Sequence, residues 1–225
     1  MFFLSFLTFL KVTHLAGLIL GFGGAILTDF TILTRGVLRP VSPYAVRQTE
    51  FLSKIVSLGL AILWISGIAL IWHNLALHPE YLTNQKLWAK IAIVIVLTFN
   101  GVLIHKIILP MLHTAIGRRL FESVPVRKIL GMTLLGAISL VSWSIPFVLG
   151  KASELNYVTP AATILWVYVC CVVAAWLGMF AVMSNAFRIQ DFVRHIMAAA
   201  QQRLDALEYV NPVVIDDQQT IQRAA

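Results

Sequence analysis

The chain has 225 residues, of which 59% are hydrophobic and 12% are charged. Soluble domains carry about 25% charged residues, so this composition excludes an ordinary soluble domain. The net charge is +7. Because the lysine and arginine residues lie in short segments between apolar stretches, we assign this charge to membrane topology and to contact with anionic lipid, and we expect no nucleic-acid partner.

Five apolar stretches are long enough to cross a bilayer, which takes about 20 residues in a helix. Within lipid, backbone N–H and C=O groups must be hydrogen-bonded inside their own segment, so each stretch is predicted to be a helix. Pro110 is expected to end the third of them. The expected fold class is therefore all-α: a polytopic transmembrane helix bundle of about five spans in residues 1–185. The predicted spans are residues 4–33, 52–72, 87–109, 129–149 and 161–183.

Lysine and arginine are concentrated in alternate connections between these spans. Segments 34–53 and 110–128, and the residues after the fifth span, contain several each, whereas segments 73–86 and 150–160 contain one lysine each. Positively charged connections remain on the cytoplasmic side of a membrane. The expected topology therefore places the N-terminus outside and the C-terminus in the cytoplasm.

The segment after the fifth span, residues 186–209, carries apolar residues at helical spacing. This pattern predicts an amphipathic helix on the cytoplasmic face, or a helical extension of the fifth span, and both remain open. Residues 210–225 contain several glutamines and are expected to form a flexible tail. The apolar stripe consists of Ile189, Phe192, Val193, Ile196, Met197, Ala200, Leu204 and Leu207.

Ionisable side chains inside membrane spans are costly and by default indicate a function. His14 and Asp29 lie in the first span, and Lys90 and His105 lie in the third. Each pair is 15 residues apart, which is about 22 Å along a helix. Since the two spans run in the same direction, contact between them would place His14 level with Lys90 near the outer face. Asp29 would then lie level with His105 near the inner face.

The outer pair is the stronger candidate for a ligand site. A neutral His14 beside Lys90 is not an ion pair, so we expect a third partner: a propionate, a substrate carboxylate or a metal bound to His14. The alternative is that Lys90 extends to the outer interface and His14 binds a backbone carbonyl. His73, at the outer end of the second span, is either a second ligand or an interfacial residue.

The inner pair has a structural and a functional interpretation. Asp29 and His105, with help from Asn100, are expected to be in contact, because an unpaired carboxylate at that depth is costly. Such a contact either holds two helices together or forms a relay for protons or cations.

Gly17 and Gly21 share a helix face with His14 and form a G-x-x-x-G motif. The motif predicts close packing of two helices. A second interpretation is that these glycines leave room for a flat macrocycle beside a ligating histidine. The two interpretations are compatible.

Two strings in the chain resemble a known membrane superfamily. The string from Leu10 to Ala25, L-K-V-T-H-L-A-G-L-I-L-G-F-G-G-A, resembles the first helix of the CopD/HemJ-like families, which show a histidine followed by glycines. The string from Lys86 to Leu97, K-L-W-A-K-I-A-I-V-I-V-L, resembles their later helix, with a lysine after an aromatic residue. The resemblance covers roughly the first three spans.

The resemblance implies a cofactor and two residues that hold it. In HemJ-type protoporphyrinogen oxidases a histidine and a lysine at these places serve haem or porphyrin binding, which points to His14 and Lys90. HemJ-type proteins usually have four spans, CopD-type proteins offer more metal ligands, and Asp29 is not part of the pattern. A side branch of the superfamily, in a bacterial inner (cytoplasmic) membrane, is therefore expected.

Three functions from different classes follow from these observations. The first is a membrane redox protein that binds haem b or a porphyrin, with His14 as ligand and His73 or Lys90 completing the site. The second is a small ion or metal transporter of the CopD type that uses the inner polar residues. The third is a non-catalytic subunit of a membrane complex or homo-oligomer, docking through its G-x-x-x-G face and its basic helix. Whether the protein is an enzyme stays open.

Overall fold

The computed structural model is an all-α bundle, as expected from the sequence. It describes the backbone of residues 5–34, 39–121 and 124–223, and their side chains apart from 186–194 and 207–223. Two short 3₁₀ helices, Pro79–Thr83 and Ser153–Leu155, lie in the connections. The five long helices are α1 Phe6–Ile32, α2 Pro43–Leu77, α3 Gln85–Thr114, α4 Val126–Lys151 and α5 Ala161–Arg223.

Five helical segments are long and apolar enough to cross a membrane, the fifth being the Ala161–Asn185 part of α5. Large apolar side chains on them are exposed, for example Phe9, Ile65 and Phe99. Exposing such large apolar side chains to water would cost free energy, whereas lipid tails are as apolar as the side chains and can contact them directly. The chain is therefore a multi-pass membrane protein with an extensive lipid-facing surface.

Two predicted helix ends are wrong. Helix α2 begins at Pro43 rather than near residue 52, with the Ser42 hydroxyl accepting a hydrogen bond from Ala45 N at 3.1 Å. Hydropathy misses this start because polar residues interrupt the apolar pattern there. Helix α3 continues through Pro110 to Thr114. A proline removes one backbone hydrogen bond, but helices within a membrane tolerate it where neighbouring elements pack against them, and Leu112 beyond it is buried.

The chain divides into two compact units, Met1–Ala181 and Val182–Ala225. The second unit consists of the continuation of α5, which is helical to Arg223. Residues 186–209 are helical, as both alternatives for this segment predicted. The backbone of residues 210–223, where a flexible tail was expected, is helical. Half of the predicted apolar stripe lies outside the described side chains, and residues 224–225 lie outside the described backbone.

Helix packing in the first unit fixes the relative positions of the polar residues. Helix α1 packs mainly on α2 and also on α4, and α3 packs on α4 and α2. Helices α1 and α2 are antiparallel, since Gly17 approaches Gly59 while Gly24 approaches Val56. Helices α1 and α3 consequently run in the same direction. Each of them packs mainly on α2 and α4. The prediction that His14 is level with Lys90, and Asp29 with His105, had assumed direct contact between α1 and α3.

Among the described residues of this unit, two apolar clusters contribute to the core. One joins α1, α2, α3 and α4 through Ala25, Leu63, Leu97 and Trp143. Trp143 is 2% exposed, so its indole ring fills the centre of the bundle. The second cluster joins α3, α4 and α5. Its buried members are Ala89, Ile93, Val141, Leu149, Ile164, Tyr168 and Val172.

Candidate ligand site at His14 and Lys90

His14 lies on the face of α1 that packs on α2. Its Nδ1 is 2.9 Å from Ser66 Oγ, and its ring passes over Gly67, where an added Cβ would lie 3.5 Å from the His14 Cε1. Within the described part of the chain, Nδ1 is the ring nitrogen with a hydrogen-bond partner. The imidazole is therefore held through one nitrogen and has the other, Nε2, available for a ligand.

Lys90 lies near enough to His14 for its charge to act on the imidazole ring. Lys86, one helical turn earlier on α3, also acts on Lys90, as expected for like charges four residues apart. Among the described residues Lys90 makes no ion pair and no hydrogen bond. The outer polar layer is thus a cationic site without an acidic partner at Lys90.

Lys86 is a residue that the sequence interpretation missed. It was counted as a loop lysine, but its side chain is buried, and Nζ donates to the Ala152 carbonyl at 2.6 Å. That carbonyl follows the end of α4, where a positive charge also interacts favourably with the helix dipole. Lys86 therefore joins α3 to α4 and adds positive charge beside Lys90. The available signal was its position directly before the apolar run that begins at Leu87.

Ser66 is the second residue that the sequence interpretation missed. It is 2% exposed and lies in the middle of α2. A serine next to a glycine in an apolar span is typical of a contact between helices. The residue that Ser66 contacts depends on how α1 and α2 are aligned, and the sequence around Ser66 does not indicate that alignment.

The glycine face of α1 is filled by protein. A Cβ at Gly17 would lie 2.8 Å from Ile62 Cγ2, and one at Gly21 would overlap the Trp143 ring. A Cβ at Gly24 would lie 2.9 Å from Val56 Cγ2. The packing interpretation of the G-x-x-x-G motif is therefore the one that the structure supports. The space proposed there for a macrocycle is occupied, and the face is not free for docking another protein.

His73 contacts Phe6 rather than His14. The two rings meet edge to face with centroids 5.9 Å apart. His73 is seven residues beyond Ser66, the partner of His14, which is about 10 Å along the helix. Two histidine nitrogens on one metal lie within about 4 Å of each other, given metal–nitrogen bonds of about 2 Å. The position of His73 therefore fits the interfacial alternative.

The inner polar residues have partners other than Asp29. His105 Nδ1 lies 2.8 Å from the Gly101 carbonyl, and its Nε2 lies 2.6 Å from Ser53 Oγ. Asn100 Nδ2 donates to the Leu135 carbonyl at 3.0 Å. The expected contact of Asp29 with His105 or Asn100 does not form, because α2 and α4 supply nearer partners. The sequence interpretation did not consider Ser53, which makes the α2–α3 contact.

Asp29 is partly buried in the second half of α1. Its carboxyl group makes no hydrogen bond and no ion pair with the part of the chain that the structure describes. In that same part, no three His, Cys, Asp or Glu side chains converge as a metal-binding group. Asp29 is therefore an acid within a membrane-spanning helix whose carboxyl group has no partner among the described residues.

The chain matches no protein-family model, no curated protein and no solved structure. The resemblance to CopD/HemJ-like proteins therefore depends on the two sequence strings in α1 and α3.

Proposed function

We propose that the protein is a membrane redox protein that binds haem b or a porphyrin at His14 and Lys90. The observation that carries the proposal is the side chain of Lys90, with Lys86 beside it, near His14: among the described residues neither the Lys90 ammonium group nor His14 Nε2 has a partner. A haem or porphyrin carries propionates for the lysine, and iron accepts an imidazole nitrogen.

The side chains fit such a group in their chemistry. His14 Nε2 would bind the iron, and the Nδ1 contact with Ser66 resembles the outer hydrogen bond that orients most metal-binding histidines. Lys90, a point charge on a flexible stem, would hold a propionate. The filled glycine face excludes a cofactor from the stretch of α1 between Gly17 and Gly24, so a group bound to His14 would lie outside that stretch. A bound haem would supply one-electron redox chemistry.

Binding of two ligands to the purified full-length protein tests this proposal. Haem and metal-free protoporphyrin are titrated into wild type, His14→Ala, Lys90→Met and His73→Ala in lipid nanodiscs, and the visible spectrum is recorded. We expect His14→Ala to weaken haem binding far more than porphyrin binding, because the porphyrin has no iron for the imidazole. Lys90→Met should weaken both, and His73→Ala, the matched control, neither. Wild type that binds neither ligand would refute the proposal.

A second candidate is transport of protons or small cations, and Asp29 is the observation that favours it. Its carboxyl group has no partner among the described residues, and ionisable groups inside a span typically belong to ion pathways. Proton flux into liposomes containing the protein should fall in Asp29→Asn and stay unchanged in Asp205→Asn, an exposed aspartate on α5 that pairs with Gln201. Equal flux in empty and protein-containing liposomes would exclude this function.

The location and orientation are part of the same proposal. We place the protein in a bacterial cytoplasmic membrane with its N-terminus outside, on the distribution of lysine and arginine between connections. In this orientation the site at His14 and Lys90 lies towards the outer face.

A further inference from the structure

Ser66 is the hydrogen-bond partner of His14. The direction in which its hydroxyl proton points determines which nitrogen of the neutral imidazole carries a proton. Ser66 Oγ lies 2.6 Å from the Ile62 carbonyl oxygen and 2.9 Å from His14 Nδ1. A carbonyl oxygen can only accept, so the contact with Ile62 uses the hydroxyl proton. The serine oxygen then has only lone pairs left for the histidine.

His14 Nδ1 must therefore be the donor in its contact with Ser66. In the neutral imidazole one nitrogen carries the proton and the other a lone pair. A proton on Nδ1 leaves Nε2 as the lone-pair nitrogen, and Nε2 has no hydrogen-bond partner in the described structure. We propose that Ser66 is the positioning residue of the ligand site: it fixes His14 as the Nδ1–H tautomer, so that Nε2 is the ligand atom.

His105 provides a comparison within the same molecule. Its Nδ1 faces the Gly101 carbonyl at 2.8 Å and is also a donor, but in the neutral ring its Nε2 accepts the hydroxyl proton of Ser53 at 2.6 Å. Both nitrogens of His105 are thus used in holding α2 against α3. The proposed tautomer of His14 is the same, but its Nε2 has no hydrogen-bond partner among the described residues. This difference at Nε2 separates a histidine that can bind a ligand from one that joins two helices.

This inference depends on the proposed function only for the identity of the ligand, because the tautomer exists before any ligand binds. The test is nitrogen NMR of the full-length protein, labelled with ¹⁵N-histidine and placed in nanodiscs without haem. At about pH 8 histidines of ordinary pKa are neutral, and long-range N–H correlations report which nitrogen carries the proton. The His14 signals are those that disappear in His14→Gln.

We expect wild-type His14 to carry its proton on Nδ1. In Ser66→Ala the tautomer ratio should move towards Nε2–H by about fivefold, the effect of losing one typical hydrogen bond. Ser66→Thr, which keeps the hydroxyl, should retain the wild-type signals. The matched control Ser53→Ala should change the signals of His105 and leave those of His14 in place.

Two results would overturn the inference. One is a wild-type His14 with its proton on Nε2, which needs no variant and so does not depend on Ser66→Ala folding. The other is a folded Ser66→Ala protein with unchanged His14 signals. If the tautomer is as expected but neither haem nor porphyrin binds, the inference about Ser66 stands and the proposed function fails.

Discussion

Gly59→Ala should destabilise the protein, because Gly59 is where the backbones of α1 and α2 come closest. An added Cβ would lie 2.7 Å from both the Gly17 carbonyl oxygen and the Gly21 Cα, and nearer still to the Gly21 nitrogen. These are backbone atoms, so the overlap is relieved only if the two helices move apart. Overpacking of this kind costs about 3 kcal/mol at the upper end of its usual range.

The helix propensity of alanine offsets part of that cost, since alanine stabilises a helix interior by about 1 kcal/mol relative to glycine. The free energy of unfolding of Gly59→Ala should therefore fall by about 2 kcal/mol, close to 30-fold in the equilibrium constant. Gly23→Ala is the matched control, because a Cβ at Gly23 has no atom within 4 Å; it should be neutral or slightly stabilising.

Reversible unfolding of both variants in mixed detergent micelles measures this difference, with tryptophan fluorescence as the signal. If Gly59→Ala were as stable as Gly23→Ala, the helices would not be in backbone contact at this point. The conclusion that protein fills the glycine face would then be wrong, and that face would again be open to a macrocycle or to another protein.

Three further predictions concern topology and helix contacts. A cytoplasmic reporter fused after Ala225 should be active, and a periplasmic reporter within residues 74–85 should be active; the reverse pattern would invert the proposed orientation. A double-mutant cycle with Ser53→Ala and His105→Ala should give a coupling energy of about 1 kcal/mol, and zero coupling would mean that their 2.6 Å contact contributes nothing. Lys86→Met keeps the apolar stem of the side chain but removes the hydrogen bond to the Ala152 carbonyl at the end of α4. It should lower the free energy of unfolding by about 2 kcal/mol, as measured by the same unfolding assay.

The spans were predictable because a long apolar run in lipid has one solution, the helix. The ends of the helices were less predictable, because they are set by contacts with other helices. Pro110 and the polar first turns of α2 are examples: local composition indicated an end or a loop, and packing of the neighbouring turns continues the helix.

The candidate site was only partly predictable. Equal spacing on parallel spans selected His14 and Lys90 as a pair; the charge of Lys90 acts on His14, and their joint role as a ligand site stays a prediction. The contacts that position these groups cross between helices: Ser66 on α2 is the partner of His14, and Lys86, which precedes Lys90 on α3, donates to the Ala152 carbonyl at the end of α4. The contact expected for Asp29 failed for the same reason, since the register of α2 and α4 is a property of the whole bundle.

The most direct test of the central claim is the haem absorption spectrum of the wild-type protein compared with that of His14→Ala. Both proteins are purified after expression with haem supplied, and His113→Ala serves as the matched control, since His113 is an exposed histidine paired with Glu50. We expect a Soret band in wild type and in His113→Ala, and we expect His14→Ala to lose most of the intensity of that band. Equal Soret bands in all three proteins would contradict the assignment of His14, and the lack of any Soret band in wild type would contradict haem binding itself.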